Sequence, residues 1–148
     1  MIILNKIMSN LFVGNIFSLN QQSLKTNRIT HIISLVELPN HILKMLEEIN
    51  VQPFIHTFSD SPDVDIIDHC QTLYPKIFEL TNNPNNIVLI NCSAGRSRSV
   101  AVVIYYLMKS TDRSFVSIYE YVKSLHPFTE LNRGFYCKLH QLNTLLES

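Results

Sequence analysis

The residues best suited to chemistry lie in one stretch, Asn91-Cys92-Ser93-Ala94-Gly95-Arg96-Ser97-Arg98-Ser99, in which Cys92 and Arg98 stand in a Cys-x5-Arg spacing. An apolar run, Ile87 to Ile90, precedes it, and a second, Val100 to Met108, follows. Strand, loop and buried helix is the order these runs imply. A helix N-terminus presents unpaired N–H groups and the positive end of the macrodipole, so an anion is stabilised there. The small side chains of Ser93, Ala94 and Gly95 let successive amides, continued by Arg96 and Ser97, converge on one centre and form a nest for a tetrahedral oxyanion. Gly95, one of three glycines in the chain, sits where such a loop needs freedom in φ. A sulfur at this position is favoured as thiolate. Arg98 can grip two phosphate oxygens bidentately and keep its hold as they become equatorial. Nucleophile and clamp on one rigid loop is the arrangement that attack on phosphorus requires.

A leaving alkoxide or phenoxide also needs a proton. Asp60 lies in the turn-rich segment Ser59-Asp60-Ser61-Pro62, after the strand expected over Val51 to Phe58. Neighbouring parallel strands would bring this loop and the Cys92 loop to the same sheet edge, so Asp60 is the candidate acid and base. Asp63 and Asp65 compete with it, but they suit a helix cap near Ile66 better. Cys70 and Cys137 fall on apolar helix stripes and are assigned to the core. The histidines show no metal spacing, and His56, His69 and His126 are read as ordinary, partly buried residues. Tyr105 and Tyr106 are read as core or sheet-facing, not as a modification site.

These groups must be held by a scaffold. Ile2 to Met8 and Leu11 to Val13 read as two strands turning at Ser9-Asn10, and Thr30 to Leu35 as a buried third. Short helices are expected over Ser18 to Lys25 and after a cap at Asn40. From Asp65 a stripe of Ile66, Ile67, Cys70, Leu73, Tyr74, Ile77 and Phe78 has helical period. Pro75 inside it should kink or interrupt that helix, at about 3 kcal/mol. Val100 to Met108 is apolar all round, as expected of a helix buried on every side. Amphipathic helices follow over Phe115 to Leu125 and Gly134 to Leu146, the latter with Phe135, Leu139, Leu142 and Leu146 in line. Strands alternating with helices give an α/β fold with a central, mainly parallel sheet of about five strands flanked by helices.

The chain has 148 residues with 12 basic and 12 acidic side chains, so its net charge is zero. That length suits one domain over residues 1–148. Zero charge argues against a nucleic-acid or membrane-surface partner, either of which would need a basic excess. Three cysteines without a CxxC pair argue for reduced thiols, hence a cytoplasmic or nuclear setting without secretion signal or membrane span. No metal or other cofactor is called for by the spacing.

The stretch from Asn91 to Ser99, with Tyr105-Tyr106-Leu107-Met108 after it, resembles the signature of the cysteine-dependent dual-specificity protein phosphatases. The resemblance extends to Leu11-Phe12-Val13-Gly14-Asn15, to Asp60 with Asp65-Ile66, and to Leu131-Asn132-Arg133-Gly134-Phe135, where Leu131 replaces a usual proline. It implies a protein-tyrosine-phosphatase-like fold with a shallow site, acting on phosphotyrosine, phosphoserine and phosphothreonine of phosphorylated proteins. It also implies that Cys92, Arg98 and Asp60 are catalytic, that residues 93–98 bind phosphate, and that Ser99 donates to the Cys92 sulfur. Asn91 departs from the family, which usually has histidine there. Phosphatases of RNA 5′ ends or phosphoinositides use the same loop, and a phosphate-binding pseudophosphatase would keep the pocket without the chemistry. Arg96 is the only extra basic residue in the loop, which weighs against the first two. Intact Cys92, Arg98 and Asp60 weigh against the third.

Overall fold

The computed structural model describes residues 1–147, with side chains described as far as Leu142, so the expected stripe position Leu146 lies outside the described side chains. The chain runs β1 (Leu4–Met8), β2 (Leu11–Gly14), a 3₁₀ turn (Ile16–Ser18), α1 (Gln21–Thr26), β3 (His31–Ser34), α2 (Asn40–Glu48), β4 (Gln52–Ile55), α3 (Ile66–Thr81), β5 (Val88–Asn91), α4 (Arg98–Thr111), α5 (Phe115–Leu125) and α6 (Arg133–Glu147). The sheet order is β1-β2-β5-β3-β4. β2, β5, β3 and β4 are parallel, and β1 is antiparallel to β2. This is the α/β architecture the alternating pattern implies, with β5 at the centre.

Successive strand side chains point to opposite faces, and β5 uses both. Val88, Ile90 and then Cys92 join a core with α3, α4, α5 and α6, whereas Leu89 joins Leu24 of α1 and Leu46 of α2 on the other side. Helices on both faces explain the continuous apolar run of this strand. The α4 residues Val100 to Met108 are all buried, as their unbroken apolar character requires, and so is the polar Ser99 before them.

Several expectations shift. Pro39, not Asn40, occupies the N-cap of α2, and no side chain caps that helix. The helix expected over Ser18 to Lys25 is divided into the 3₁₀ turn and α1, because Asn15 caps the first and Asn20 the second. Helix α3 runs through Pro75 without a break. Pro75 and Gln71, whose carbonyl loses its partner four residues on, are both exposed, so water can satisfy that oxygen and the proline is tolerated. Phe78, expected on the buried stripe, is 49% exposed.

Strand β4 is shorter than Val51 to Phe58 and exposed along its whole length. Its partner β3 pairs no further than Ser34 opposite Ile55, so the chain beyond is released from the sheet and can cross toward the loop after β5. Gln52 N–H and His56 N–H bond inward to the Thr30 and Ser34 carbonyls. Pro53 therefore lies on the outward side, where its missing N–H blunts the sheet edge.

Candidate active site

The loop from Cys92 to Ser97 leaves the carboxyl end of the central strand and enters α4, the position in a parallel sheet where ligands bind. Gly95 has φ +73°, a left-handed conformation that costs a glycine little. A Cβ there would stand 3.0 Å from Asn15 and from the Gly14 carbonyl carbon, so this loop also packs against the end of β2. The 3₁₀ turn holds it from the same side, through Ile16 N–H donating to the Ser93 carbonyl.

Cys92 is buried at the floor of the loop. Its Sγ accepts from the Gly95 N–H at 3.3 Å and lies 3.1 Å from the Ser99 Oγ. Ser93, Ala94 and Arg96 are exposed, whereas Ser97 is buried. Ser97 Oγ accepts from the Asn132 N–H at 3.0 Å. Arg98 is half-buried, and its guanidinium donates to the Phe58 carbonyl at 3.0 Å. Arg96 lies over the Phe128 ring at 5.8 Å and pairs with Glu130 at 3.7 Å.

Asp60 comes from the loop after β4, an exposed segment. β3 lies between β4 and β5, so the two loops reach each other across an intervening strand and not from adjacent ones. Asn132 makes the connection: its Nδ2 donates to the Asp60 carboxylate at 2.8 Å while its N–H donates to Ser97. Its Oδ1 in turn accepts from the Phe135 N–H at the start of α6. The Lys138 ammonium donates to the Val64 carbonyl at 2.8 Å, and Gly134 touches Pro62 so closely that a Cβ would overlap the Pro62 carbonyl. The root of the loop is aromatic. Phe58 stacks on His69 at 4.4 Å, and His56 Nε2 meets His69 Nδ1 at 2.9 Å. Burial, then the neighbouring His69, pushes the His56 pKa down against an opposing pull from Asp68. Asp65 caps α3 by accepting from the Asp68 N–H.

Cys70 is buried in the core, and burial pushes its thiol far up, so it stays protonated. Cys137 is exposed, contrary to its assignment to the core. It stands two residues beyond Phe135, about 200° around the helix, and so leaves the stripe of Phe135 and Leu139. His126, read as ordinary, is fully buried under the loop. Its Nε2 lies 2.6 Å from the Gly95 carbonyl and its Nδ1 2.8 Å from Asn5 Nδ2. No local pattern signals this contact, which spans 31 positions of chain. The Asn91 amide is buried, and among the described residues neither its Oδ1 nor its Nδ2 has a hydrogen-bond partner. Among the described residues, Asn91 thus gives the loop no side-chain bond. Among the described residues no group of three or more His, Cys, Asp or Glu could hold a metal ion, and no helix is long and apolar enough to cross a membrane.

A mainly parallel sheet carrying a Cys-x5-Arg loop at its carboxyl edge, with an aspartate tied to that loop from the next loop but one, is the geometry expected of a cysteine-phosphatase site. The chain belongs to the dual specificity phosphatase family: residues 11–144 match that family's catalytic domain. Mouse dual specificity protein phosphatase 15 is 32% identical over 139 residues, covering 93% of this chain and 57% of the mouse protein. The fruit-fly (Drosophila melanogaster) dual specificity protein phosphatase MPK-4 is 33% identical over 143 residues, covering 92% of this chain and 35% of its own. The chain therefore spans little more than half of the first of these relatives and about a third of the second. The crystal structure of DUSP15 superposes with a TM-score of 0.83 at 28% identity, covering 95% of this chain and 86% of that one.

Proposed function

We propose that this chain is a phosphoprotein phosphatase that hydrolyses phosphotyrosine and phosphoserine or phosphothreonine through a phosphocysteine intermediate. The observation that carries the reading is the Cys92 sulfur, held by the Gly95 N–H and Ser99 Oγ at the floor of a loop to which Asn132 ties Asp60. The thiolate attacks phosphorus in line. The S–P bond forms, the P–O bond to the leaving group breaks, and Asp60 gives its proton to the departing oxygen. The amides of residues 93–98 and the Arg98 guanidinium hold the three equatorial oxygens. Water then attacks phosphorus, the Asp60 carboxylate takes its proton, and the S–P bond breaks as the Ser99 hydroxyl donates to the leaving sulfur.

Phosphorylated proteins are the substrate class that the mouth of the site favours. Glu130 pairs with Arg96, the loop's one additional cation, and so places a negative charge where a second phosphate of an RNA end or an inositol lipid would approach. The test is turnover of an aryl phosphate, phosphotyrosine and phosphothreonine peptides, RNA 5′-triphosphate and inositol phospholipids. Peptide and aryl turnover is expected to dominate. Preference for the RNA or lipid would replace this reading with one of those activities, and tight phosphate binding without turnover would make the chain a binding module.

The contact between Gly134 and Pro62 supplies a further expectation. In Gly134→Ala the new methyl must displace the Asp60 loop or the start of α6. Misplacement of a reacting group by about 1 Å costs on the order of 100-fold, so kcat should fall by roughly 10- to 100-fold. The affinity for inorganic phosphate, which needs no acid, should hardly change. Steady-state kinetics alongside a phosphate inhibition constant separates the two effects; equal losses in both would contradict the assignment of that contact to Asp60. At Asn91, Asn91→His introduces a titratable ring beside Cys92 and is expected to move the acid limb of the kcat/KM profile. A superimposable pH profile would deny residue 91 any influence on the nucleophile.

A further inference from the structure

We propose that His126 is a positioning residue for the phosphate-binding loop: its buried ring, in the tautomer set by Asn5, holds the Gly95 carbonyl and thereby aims the Arg96 N–H at the bound oxyanion. The inference rests on reading residues 92–98 as a phosphate site. Asn5 Nδ2 can only donate, so His126 Nδ1, 2.8 Å away, is the acceptor. The ring proton is then on Nε2, which donates to the Gly95 carbonyl at 2.6 Å. Both contacts are satisfied by one neutral tautomer. Burial lowers the affinity of this ring for a second proton, with the Gly95 carbonyl opposing.

The peptide unit between Gly95 and Arg96 is planar, with its C=O and N–H pointing in opposite directions. Anchoring the carbonyl on a fully buried ring therefore directs the Arg96 N–H to the outer side of the loop, where residues 93, 94 and 96 are exposed. Without that anchor, Gly95 at φ +73° is the residue best able to rotate the amide away. The preceding peptide is fixed as well, because Gly95 N–H donates to Cys92 Sγ. Donors thus run from Asn5 on β1 through His126 and Gly95 to the sulfur. The ring is itself held: His126 N–H donates to the Val122 carbonyl as α5 ends, and Thr129 donates both its N–H and its hydroxyl to the His126 carbonyl. Asn91, adjoining the nucleophile, contributes no side-chain bond to the loop, and His126 is the imidazole that does.

Orthovanadate and inorganic phosphate are the probes, because they occupy an oxyanion nest without needing an acid. In His126→Leu, competitive inhibition constants for both should rise, and kcat/KM for an aryl phosphate should fall, each by about tenfold, the scale of one lost buried hydrogen bond. His126→Gln, whose amide can donate from nearly the same place, should recover most of the loss. A purely structural role would lower the melting temperature of both variants and leave the folded protein's orthovanadate constant unchanged, which would overturn the proposal. The parent chain gives a reading that needs no variant. Its long-range ¹H–¹⁵N spectrum should show His126 protonated on Nε2, with a signal that shifts when orthovanadate binds; a proton on Nδ1 would equally overturn it. A parent chain that neither turns over phosphate esters nor binds orthovanadate would instead count against the proposed function.

Discussion

A Cys92→Ser chain is expected to bind phosphorylated substrate and to release no measurable phosphate, with kcat lower by at least about 10³-fold. The cause is the nucleophile and not the fold. A serine hydroxyl is slightly smaller than the thiol, can still accept from the Gly95 N–H and can still meet the Ser99 hydroxyl, so the loop keeps the bonds now made to sulfur. What it lacks is an anionic form at neutral pH, because an alcohol is a far weaker acid than a thiol. Phosphate release should vanish while inhibition by orthovanadate persists. Rapid quenching with labelled substrate should trap a phosphoenzyme in the parent and none in the variant. Cys70→Ser and Cys137→Ser are the controls. One thiol is buried and held protonated, the other lies exposed on α6, so neither substitution should remove the burst. A Cys92→Ser chain retaining even a few per cent of the parental rate would remove Cys92 from the reaction.

Asp60→Asn should produce the second-largest effect, and its size should depend on the substrate. Proton transfer by a positioned acid is worth roughly 10²- to 10⁴-fold. That loss is expected for phosphoserine and phosphothreonine peptides, whose alkoxides leave poorly unless protonated. For an aryl phosphate with a strongly acidic phenol, the loss should shrink to about tenfold, because that leaving group departs as the anion. The amide oxygen of the variant can still accept from Asn132 Nδ2, so the loop should keep its place. Equal losses on good and poor leaving groups would show that Asp60 holds the loop instead of delivering the proton.

How far these assignments could be read from sequence differs from element to element. Val100 to Met108 and Phe115 to Leu125 were legible because burial is local in origin: a run with no polar face can only be enclosed, and a 3.6-residue stripe can only be half-enclosed. The Cys92 loop was legible because its small residues sit between two such runs. Pro75 does not interrupt its helix, since the rule that a proline does so assumes a carbonyl left unsatisfied, and the one concerned belongs to Gln71, an exposed residue that water can reach. The contacts of His126 and Asn132 were illegible for a different reason, although Asn132 lies in a stretch that carries the family resemblance. Their partners Gly95 and Asp60 lie 31 and 72 positions away, and no periodicity reports a contact made only when β1, α5 and α6 have come together. The turn singles out Asp60 as a candidate, but it reveals neither the intervening strand nor the asparagine that brings Asp60 to the loop.

The enclosure of α4 from Ser99 to Met108 has a consequence for the timescales of this site. That stretch cannot open by itself, because each of its turns is buried by something else; only the last turn, Lys109 to Thr111, is exposed and free to fray. The amide protons of the buried stretch should exchange with deuterium only through opening of the whole molecule, at the full unfolding free energy. The Asp60 segment, exposed and joined to the remainder largely through Asn132, Gly134, Lys138 and the Phe58 carbonyl, belongs to the low-energy end of the same spectrum. In the proposed mechanism the nucleophile, on the loop that leads into α4, therefore adjoins the most slowly opening part of the protein, and its proton donor lies on one of the fastest. Under that mechanism, substrate entry and product departure are expected to occur by excursions of the aspartate side alone, leaving the proposed anion nest assembled between turnovers.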